Sequence, residues 1–332
     1  MNQAILIIFL FFIIVKSDKG INQACVTPHG QIAKCVELSS CKHLYARYKA
    51  KPNSIAVQKY LRKSLCGWRR GMPLVCCGPK VDVYEECGNT DQYNFRITGG
   101  TVVKQHFPWM AALQYKEGEG KEFKCAGFLI NPHFVLTAAH CVKQRFIHSV
   151  HLGVSNLTNY EQHGSHKELK ILNITYGRDH RQYIDDIALI RIEPIKYSDT
   201  IRWICLPDKN METPDWFTIS GWGENNRMVK IFTVALQNRV KVTKYDDCHL
   251  AMNREIPMNR IICAGGEFNI DSCKGDSGGA LMNKTKNEGW TAYGIISFGS
   301  NDCTKGYPAV HTKIQYYLDW IDDTMMEMLS QP

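Results

Sequence analysis

The chain carries 14 cysteines in 332 residues, and their uneven spread constrains the fold more than any other feature. Cys25, Cys35, Cys41, Cys66, Cys76 and Cys77 all fall within 25–77. A stretch of about fifty residues cannot build a large core, so this one reads as a small module stapled by disulfides. Its connectivity is left open by spacing alone. Zinc is a poor fit, because no Cys-x2-Cys pair meets a second one and the adjacent Cys76 and Cys77 suit separate disulfides. Disulfides call for an oxidising compartment. The apolar run 4–15 has 12 residues, too short to span a bilayer as a helix. Residues 1–17 therefore read as a secretory signal peptide cut after Ser17, within about three residues. Sequons at Asn156, Asn173 and Asn283 agree with a secreted, extracellular protein.

With 44% apolar and 11% aromatic residues, the rest of the chain can bury a full core, which excludes disorder of the whole. The single apolar run excludes a polytopic membrane protein. A net charge of +8 is modest for the length. It admits acidic partners, and no nucleic-acid motif accompanies it. Residues 78–96 form a linker, acidic over 81–95, in which Arg96 is the only basic residue between 81 and 103. Such an isolated Arg is a clean target for a trypsin-like protease. From Ile97 onward, short β-branched and aromatic runs recur between turn residues, at 109–115, 125–130, 134–138, 187–192, 216–220, 236–242 and 290–298. This pattern predicts an all-β sandwich or barrel. The end differs: Tyr317, Leu318, Ile321, Met325 and Leu329 lie near helical spacing and predict a closing amphipathic helix over 314–329.

Three segments carry chemistry. Thr137-Ala138-Ala139-His140-Cys141 follows an apolar strand, Asp185-Asp186-Ile187-Ala188-Leu189 begins another, and Gly275-Asp276-Ser277-Gly278-Gly279 is a glycine-rich turn. A serine hydroxyl is a poor nucleophile near neutral pH and needs an imidazole to take its proton. The imidazole in turn needs a buried carboxylate to hold its tautomer. Glycines let backbone N–H groups point at a developing oxyanion.

With these three segments, residues 97–329 resemble a trypsin-like serine protease, a two-barrel fold with a C-terminal helix. Cys25-Val26-Thr27-Pro28 with Gly30, Cys35 and Cys41, then Val75-Cys76-Cys77, resembles the clip domain of arthropod clip-domain serine proteases. The resemblance implies a clip domain over 25–77, a linker and activation segment over 78–96, and a protease domain over 97–332. It implies Ser277 as nucleophile, His140 as general base and then acid, and Asp186 as the residue orienting His140, with Asp185 a non-catalytic neighbour. Gly275 and Ser277 N–H groups would form the oxyanion hole. Arg96-Ile97-Thr98-Gly99-Gly100 resembles a zymogen activation site, where a cut after Arg96 frees the Ile97 amine to pair with Asp276. The implied disulfides are Cys25–Cys76, Cys35–Cys66, Cys41–Cys77, Cys87–Cys205, Cys125–Cys141, Cys248–Cys263 and Cys273–Cys303. The Cys87–Cys205 bond would tether the light chain after activation.

By the same resemblance, Asp271 lies at the bottom of the primary pocket, where a carboxylate pairs with a substrate Arg or Lys. Ser297 and Gly299 line its entrance and bind substrate backbone as an antiparallel strand. The family usually has Gly where Ala309 stands and often Tyr where His311 stands. The added methyl narrows the pocket, which is expected to favour Lys over Arg. Val154 stands where calcium-binding relatives carry Glu, so no calcium is expected in that loop. No cofactor and no metal are expected elsewhere.

The resemblance implies an active protease of an extracellular cascade in immunity, melanisation or Toll-type signalling, of the prophenoloxidase-activating or easter-like branch. Its implied partners are a prophenoloxidase- or Spätzle-like precursor, an upstream activating protease and a serpin, with no nucleic acid and no membrane. Arg62, Lys63, Arg69 and Arg70 near Trp68 offer the clip module a docking face for an acidic partner. The same sequence serves a venom protease. A non-catalytic clip-domain cofactor is the alternative, disfavoured because Ser277, His140 and Asp186 are all present.

Overall fold

The structure, a computed structural model, describes residues 20–28, 30–78, 87–90, 107–117, 120–143, 146–158, 160–162, 164–177, 184–223, 235–252, 257–267, 276–285, 289–299 and 306–331. It divides into two compact units. One comprises residues 1–84 with 319–332, the other residues 85–318.

In the first unit, strands β1 (Ala24–Val26), β2 (Ile32–Glu37), β3 (Leu65–Arg69) and β4 (Met72–Cys77) form an antiparallel sheet in the order β1-β2-β4-β3. Helices α1 (Lys42–Ala50) and α2 (Ile55–Ser64) lie between β2 and β3. The Ser54 hydroxyl caps α2 by accepting from the Val57 N–H, which satisfies one of the orphan donors of a helix start. Three disulfides, Cys25–Cys76, Cys35–Cys66 and Cys41–Cys77, cross the module. They supplement a core of Leu44, Tyr48, Val57, Tyr60, Leu61 and Val75, to which Met326 of the last helix also belongs. Arg47 pairs with Asp322 at 2.6 Å, and Lys51 with Asp319 and Asp323 at 3.2 and 3.3 Å.

The second unit holds two antiparallel sheets. Strands β5 (Met110–Glu117), β6 (Gly120–Asn131), β7 (Phe134–Thr137), β8 (Ile147–Leu152), β9 (Lys167–Leu169), β10 (Ile171–Tyr176) and β11 (Ala188–Ile192) run in the order β10-β11-β7-β6-β5-β8-β9. Strands β12 (Trp216–Gly221), β13 (Leu236–Lys241), β14 (Ile261–Gly265), β15 (Ala280–Thr285), β16 (Gly289–Phe298) and β17 (Pro308–Lys313) run in the order β13-β12-β15-β16-β17-β14. A bridge between Val242 and Ala264 joins the two ends of this second sheet, closing it. Each sheet buries its inward residues, such as Phe128, Phe134, Leu136 and Leu152 in the first and Phe217, Ile219, Leu281 and Ile296 in the second. Closure removes the unpaired edges that an open sheet would expose. The apolar runs over 109–115, 134–138, 187–192 and 290–298 coincide closely with β5, β7, β11 and β16. Helix α4 (Tyr245–Met252) follows β13, and helix α5 (Ile314–Leu329) closes the chain. Among the described residues no helix is long and apolar enough to cross a membrane.

Candidate active site

Strand register assembles the first half of the site. Ala188 of β11 lies opposite Thr137 of β7 in an antiparallel pair. Counting outward from that pair, the residue before β11 that matters, Asp186, falls opposite the start of the short helix α3 (Ala139–Lys143), which carries His140. One Asp186 carboxylate oxygen accepts the His140 backbone N–H at 2.9 Å, and the other lies 2.8 Å from His140 Nδ1. The Ser297 hydroxyl donates to that second oxygen as well. Thr312 Oγ1 donates to the Asp186 carbonyl at 2.8 Å. Burial by itself would push the Asp186 carboxyl up. The His140 side chain, the Ser297 hydroxyl and the His140 N–H outweigh it and hold the group below its ordinary value. Asp186 is 1% exposed while His140 keeps 29% of its side chain in solvent. The ionised carboxylate only accepts, so the imidazole carries its proton on Nδ1 and presents Nε2 as a base.

The second half comes from the turn before β15. Gly278 has φ +84°, and any Cβ there would overlap the Ala126 carbonyl and Thr137 Oγ1. Only glycine fits both the conformation and the gap. Ala126 N–H donates to the Ser277 carbonyl at 2.8 Å, tying this turn to β6 of the other sheet. Cys141 Sγ, in the Cys125–Cys141 disulfide, lies 3.6 Å from His140 Nε2 and 3.6 Å from the Ser277 carbonyl. The base and the serine therefore sit on one sulfur. Asp276 packs on Gly221 and Gly223, and its carboxylate accepts the Gly223 N–H at 2.8 Å.

Ala309 and His311 share one face of β17, since side chains alternate along a strand. The Ala309 methyl would lie 3.1 Å from a Cβ placed on Gly299. His311 is 1% exposed. Burial pushes its imidazole down from 6.5 to about 4, against a backbone hydrogen bond with Ala264 that favours the charged form. Val154 is fully buried. The loop that follows is closed by side chains, with Ser165 Oγ donating to the Gly153 carbonyl at 3.1 Å and His151 Nδ1 lying 2.9 Å from His166 Nε2.

Arg96, Ile97, Asp271, Cys273, Gly275 and Cys303 lie outside the described residues, as does the segment 1–17. The remaining cysteines pair as Cys87–Cys205 and Cys248–Cys263. Two groupings of cysteine and histidine have ligand-like spacing, Cys41 with His43 and Cys77, and Cys125 with His140 and Cys141. Their sulfurs are all in disulfides and offer no thiolate for a metal. Sequence reasoning assigned Ser297 to substrate and passed over its hydroxyl as a support for Asp186. It also placed neither Thr312 nor Arg260 at the site, and it read Tyr317 only as a residue of the closing helix.

Two antiparallel sheets of this order, joined where a buried carboxylate, an imidazole and a serine turn converge, define the trypsin-like serine endopeptidases. A family model described as Trypsin matches residues 96–321, and one described as the regulatory CLIP domain of proteinases matches residues 25–77. The chain belongs to the trypsin family, as an arthropod clip-domain serine protease. Phenoloxidase-activating factor 1 of Holotrichia diomphalia is 31% identical, with 97% of this chain and 99% of that protein aligned. Serine protease ea of Drosophila melanogaster is 32% identical over 91% and 90% of the two chains. The crystal structure of the Drosophila Grass clip serine protease of the Toll pathway superposes with a TM-score of 0.63 at 28% identity, covering 93% of this chain and 98% of that one.

Proposed function

We propose that the protein is a secreted zymogen, activated by cleavage after Arg96, that cuts proteins after Arg or Lys in an extracellular cascade. What supports this reading most is the Asp186–His140 pair. With Nδ1 held by Asp186, His140 takes the Ser277 hydroxyl proton through Nε2 as the oxygen attacks a substrate carbonyl. It then returns the proton to the leaving amine. The N–H groups of Gly275 and Ser277 receive the oxyanion. Asp271 pairs with the substrate cation, and the Ala309 methyl beside Gly299 shortens the pocket in favour of Lys.

Activation works through Asp276. The new Ile97 amine forms an ion pair with its carboxylate, already anchored on the Gly223 N–H, and so orders the serine turn. Residues 87–90 are held by the Cys87–Cys205 bond and by Gly88 exchanging backbone bonds with Trp203 and Trp290 at 2.9 Å. A light chain released at Arg96 therefore stays attached. The natural substrate is a protein precursor of the prophenoloxidase- or Spätzle-like class. The name of the Holotrichia relative favours the melanisation branch. A serpin is the expected inhibitor.

The test is to cut recombinant zymogen with a trypsin-like protease and sequence the new Ile97 terminus. Turnover of peptides with Lys, Arg or Phe before the scissile bond is then compared with a Ser277→Ala control. Turnover of Lys and Arg peptides that appears only after the cut is expected, with the two chains separating on gels only under reducing conditions. Correctly cut protein without Ser277-dependent turnover of any peptide would refute the protease reading and favour a binding role.

A further inference from the structure

Asp185 and Asp186 are consecutive at a turn that precedes β11, and their side chains find different partners. Asp186 turns inward to His140. Asp185 turns the other way, into a cluster built by distant parts of the second unit. Its Oδ1 accepts from Arg260 Nη1 at 2.9 Å and from the Tyr317 hydroxyl at 2.8 Å. The same hydroxyl lies 3.0 Å from the Ile184 carbonyl and shares its hydrogen between the two acceptors. Arg260 belongs to the single 3-10 turn Met258–Arg260 that leads into β14. Its guanidinium sits 5.1 Å above the Tyr316 ring, and that ring meets Tyr317 edge-on at 4.9 Å.

The backbone around Asp185 is held as firmly. Its carbonyl accepts the Ile187 N–H at 2.9 Å, and the Ile187 carbonyl accepts from Gly177 at the same distance. A Cβ on Gly177 would come within 2.8 Å of the Asp185 Cβ, so β10 ends in direct contact with this turn. Burial, and after it the Asp185 carboxylate, push the Tyr317 phenol well above its ordinary value. It remains a donor throughout the working pH range.

We infer that Asp185 is a positioning residue: clamped by Arg260 and Tyr317, it fixes the rotation of the dipeptide and so the angle at which Asp186 meets His140. The Arg260 guanidinium pairs with Asp185 at 2.9 Å, while Asp186 faces His140 instead. The Asp185 and Arg260 side chains are 17% and 31% exposed, so solvent screens the pair only in part. This inference rests on the reading of Ser277, His140 and Asp186 as the catalytic group.

The test compares activated wild type with Asp185→Ala, Tyr317→Phe and Arg260→Lys. Misplacing a catalytic group by a fraction of an ångström costs about tenfold in turnover, so Asp185→Ala is expected to lower kcat by about that factor. KM should stay within about twofold, because no substrate contact is lost. Tyr317→Phe, a milder change that removes one hydroxyl, should lower kcat by about threefold and covers the case in which Asp185→Ala does not fold. Arg260→Lys keeps the charge and should retain more activity than Asp185→Ala. The low-field proton resonance of His140 Nδ1–H is the readout that a merely structural role would leave alone. It should shift in Asp185→Ala and Tyr317→Phe. Wild type lacking Ser277-dependent turnover would sink the catalytic reading itself. Active wild type whose folded Tyr317→Phe and Asp185→Ala variants keep kcat and the resonance unchanged would overturn the positioning role alone.

Discussion

His311 makes the fold sensitive to acid in a way that can be worked out. In the unfolded chain the imidazole titrates near 6.5, and in the fold burial pushes it down to about 4. The neutral ring is therefore the form the fold accepts. Its stabilising contribution is fully present above pH 6.5 and is lost as the pH falls through 4. Between those values the unfolded chain binds a proton that the folded one refuses. Each pH unit of that interval is worth about 1.4 kcal/mol, so about 3 kcal/mol of stability should disappear between pH 7 and pH 4 on this account alone. The assay is urea unfolding followed by tryptophan fluorescence, with Ser277→Ala as background to prevent self-digestion. His311→Phe in that background cannot titrate, although its added bulk shifts stability by a constant amount. The stability of the His311 protein relative to His311→Phe should fall by about 3 kcal/mol from pH 7 to pH 4. A gap that stays constant across that range would refute the reasoning, because it would mean that the ring reaches solvent or a carboxylate in the fold.

Three further outcomes are expected. Gly278→Ala should abolish Ser277-dependent turnover, because the methyl collides with the Ala126 carbonyl and Thr137 Oγ1; peptide turnover by correctly cut variant checks it. Met326→Ala empties a position that is 2% exposed in the core of the first unit and should destabilise that unit by about 2–4 kcal/mol. Faster amide exchange over 42–64 would report the loss, and unchanged exchange would contradict it. Among the sequons, Asn283 donates its side-chain nitrogen to the Trp216 carbonyl at 2.7 Å, whereas the Asn156 side-chain oxygen accepts from the Thr158 N–H at 2.8 Å. Asn156→Gln should remove an N-glycan from protein made in insect cells and Asn283→Gln should not, as peptide mapping after deglycosylation would show.

Much of the fold was legible because its signals are local. Buried strands such as β7, Phe134–Thr137, are apolar at every position, and a continuous apolar run between turns is a strand signal that needs no partner to be seen. Strands β8, β14 and β17 were not picked out. They mix histidine, lysine and glycine into short stretches, and their strand character comes from pairing with neighbours already in place. The helices α1 and α2 were missed for a related reason: six cysteines in a short stretch dominate the pattern and say nothing about the chain between the staples. The basic residues weighed in the clip module were Arg62, Lys63, Arg69 and Arg70. The ones paired with acids of the last helix are Arg47, Lys51 and Lys59, since pairing follows which helix face is turned inward and not local charge density.

The sequence by itself determined the chemistry available: a serine in a turn of glycines, a histidine after an apolar strand, an aspartate before another, and cysteines in even number. These are short-range facts, carried by residue type and spacing. Only the tertiary structure decided what each group does with its neighbours. Asp185 and Asp186 are alike in sequence, yet one is buried against His140 and the other is tied to Arg260 and Tyr317, residues 75 and 132 positions away. His311 likewise differs from the half-exposed His140 only in what the barrel packs around it. Burial and long-range contact set charge state and orientation, and both come into being only when strands distant in the chain close on one another.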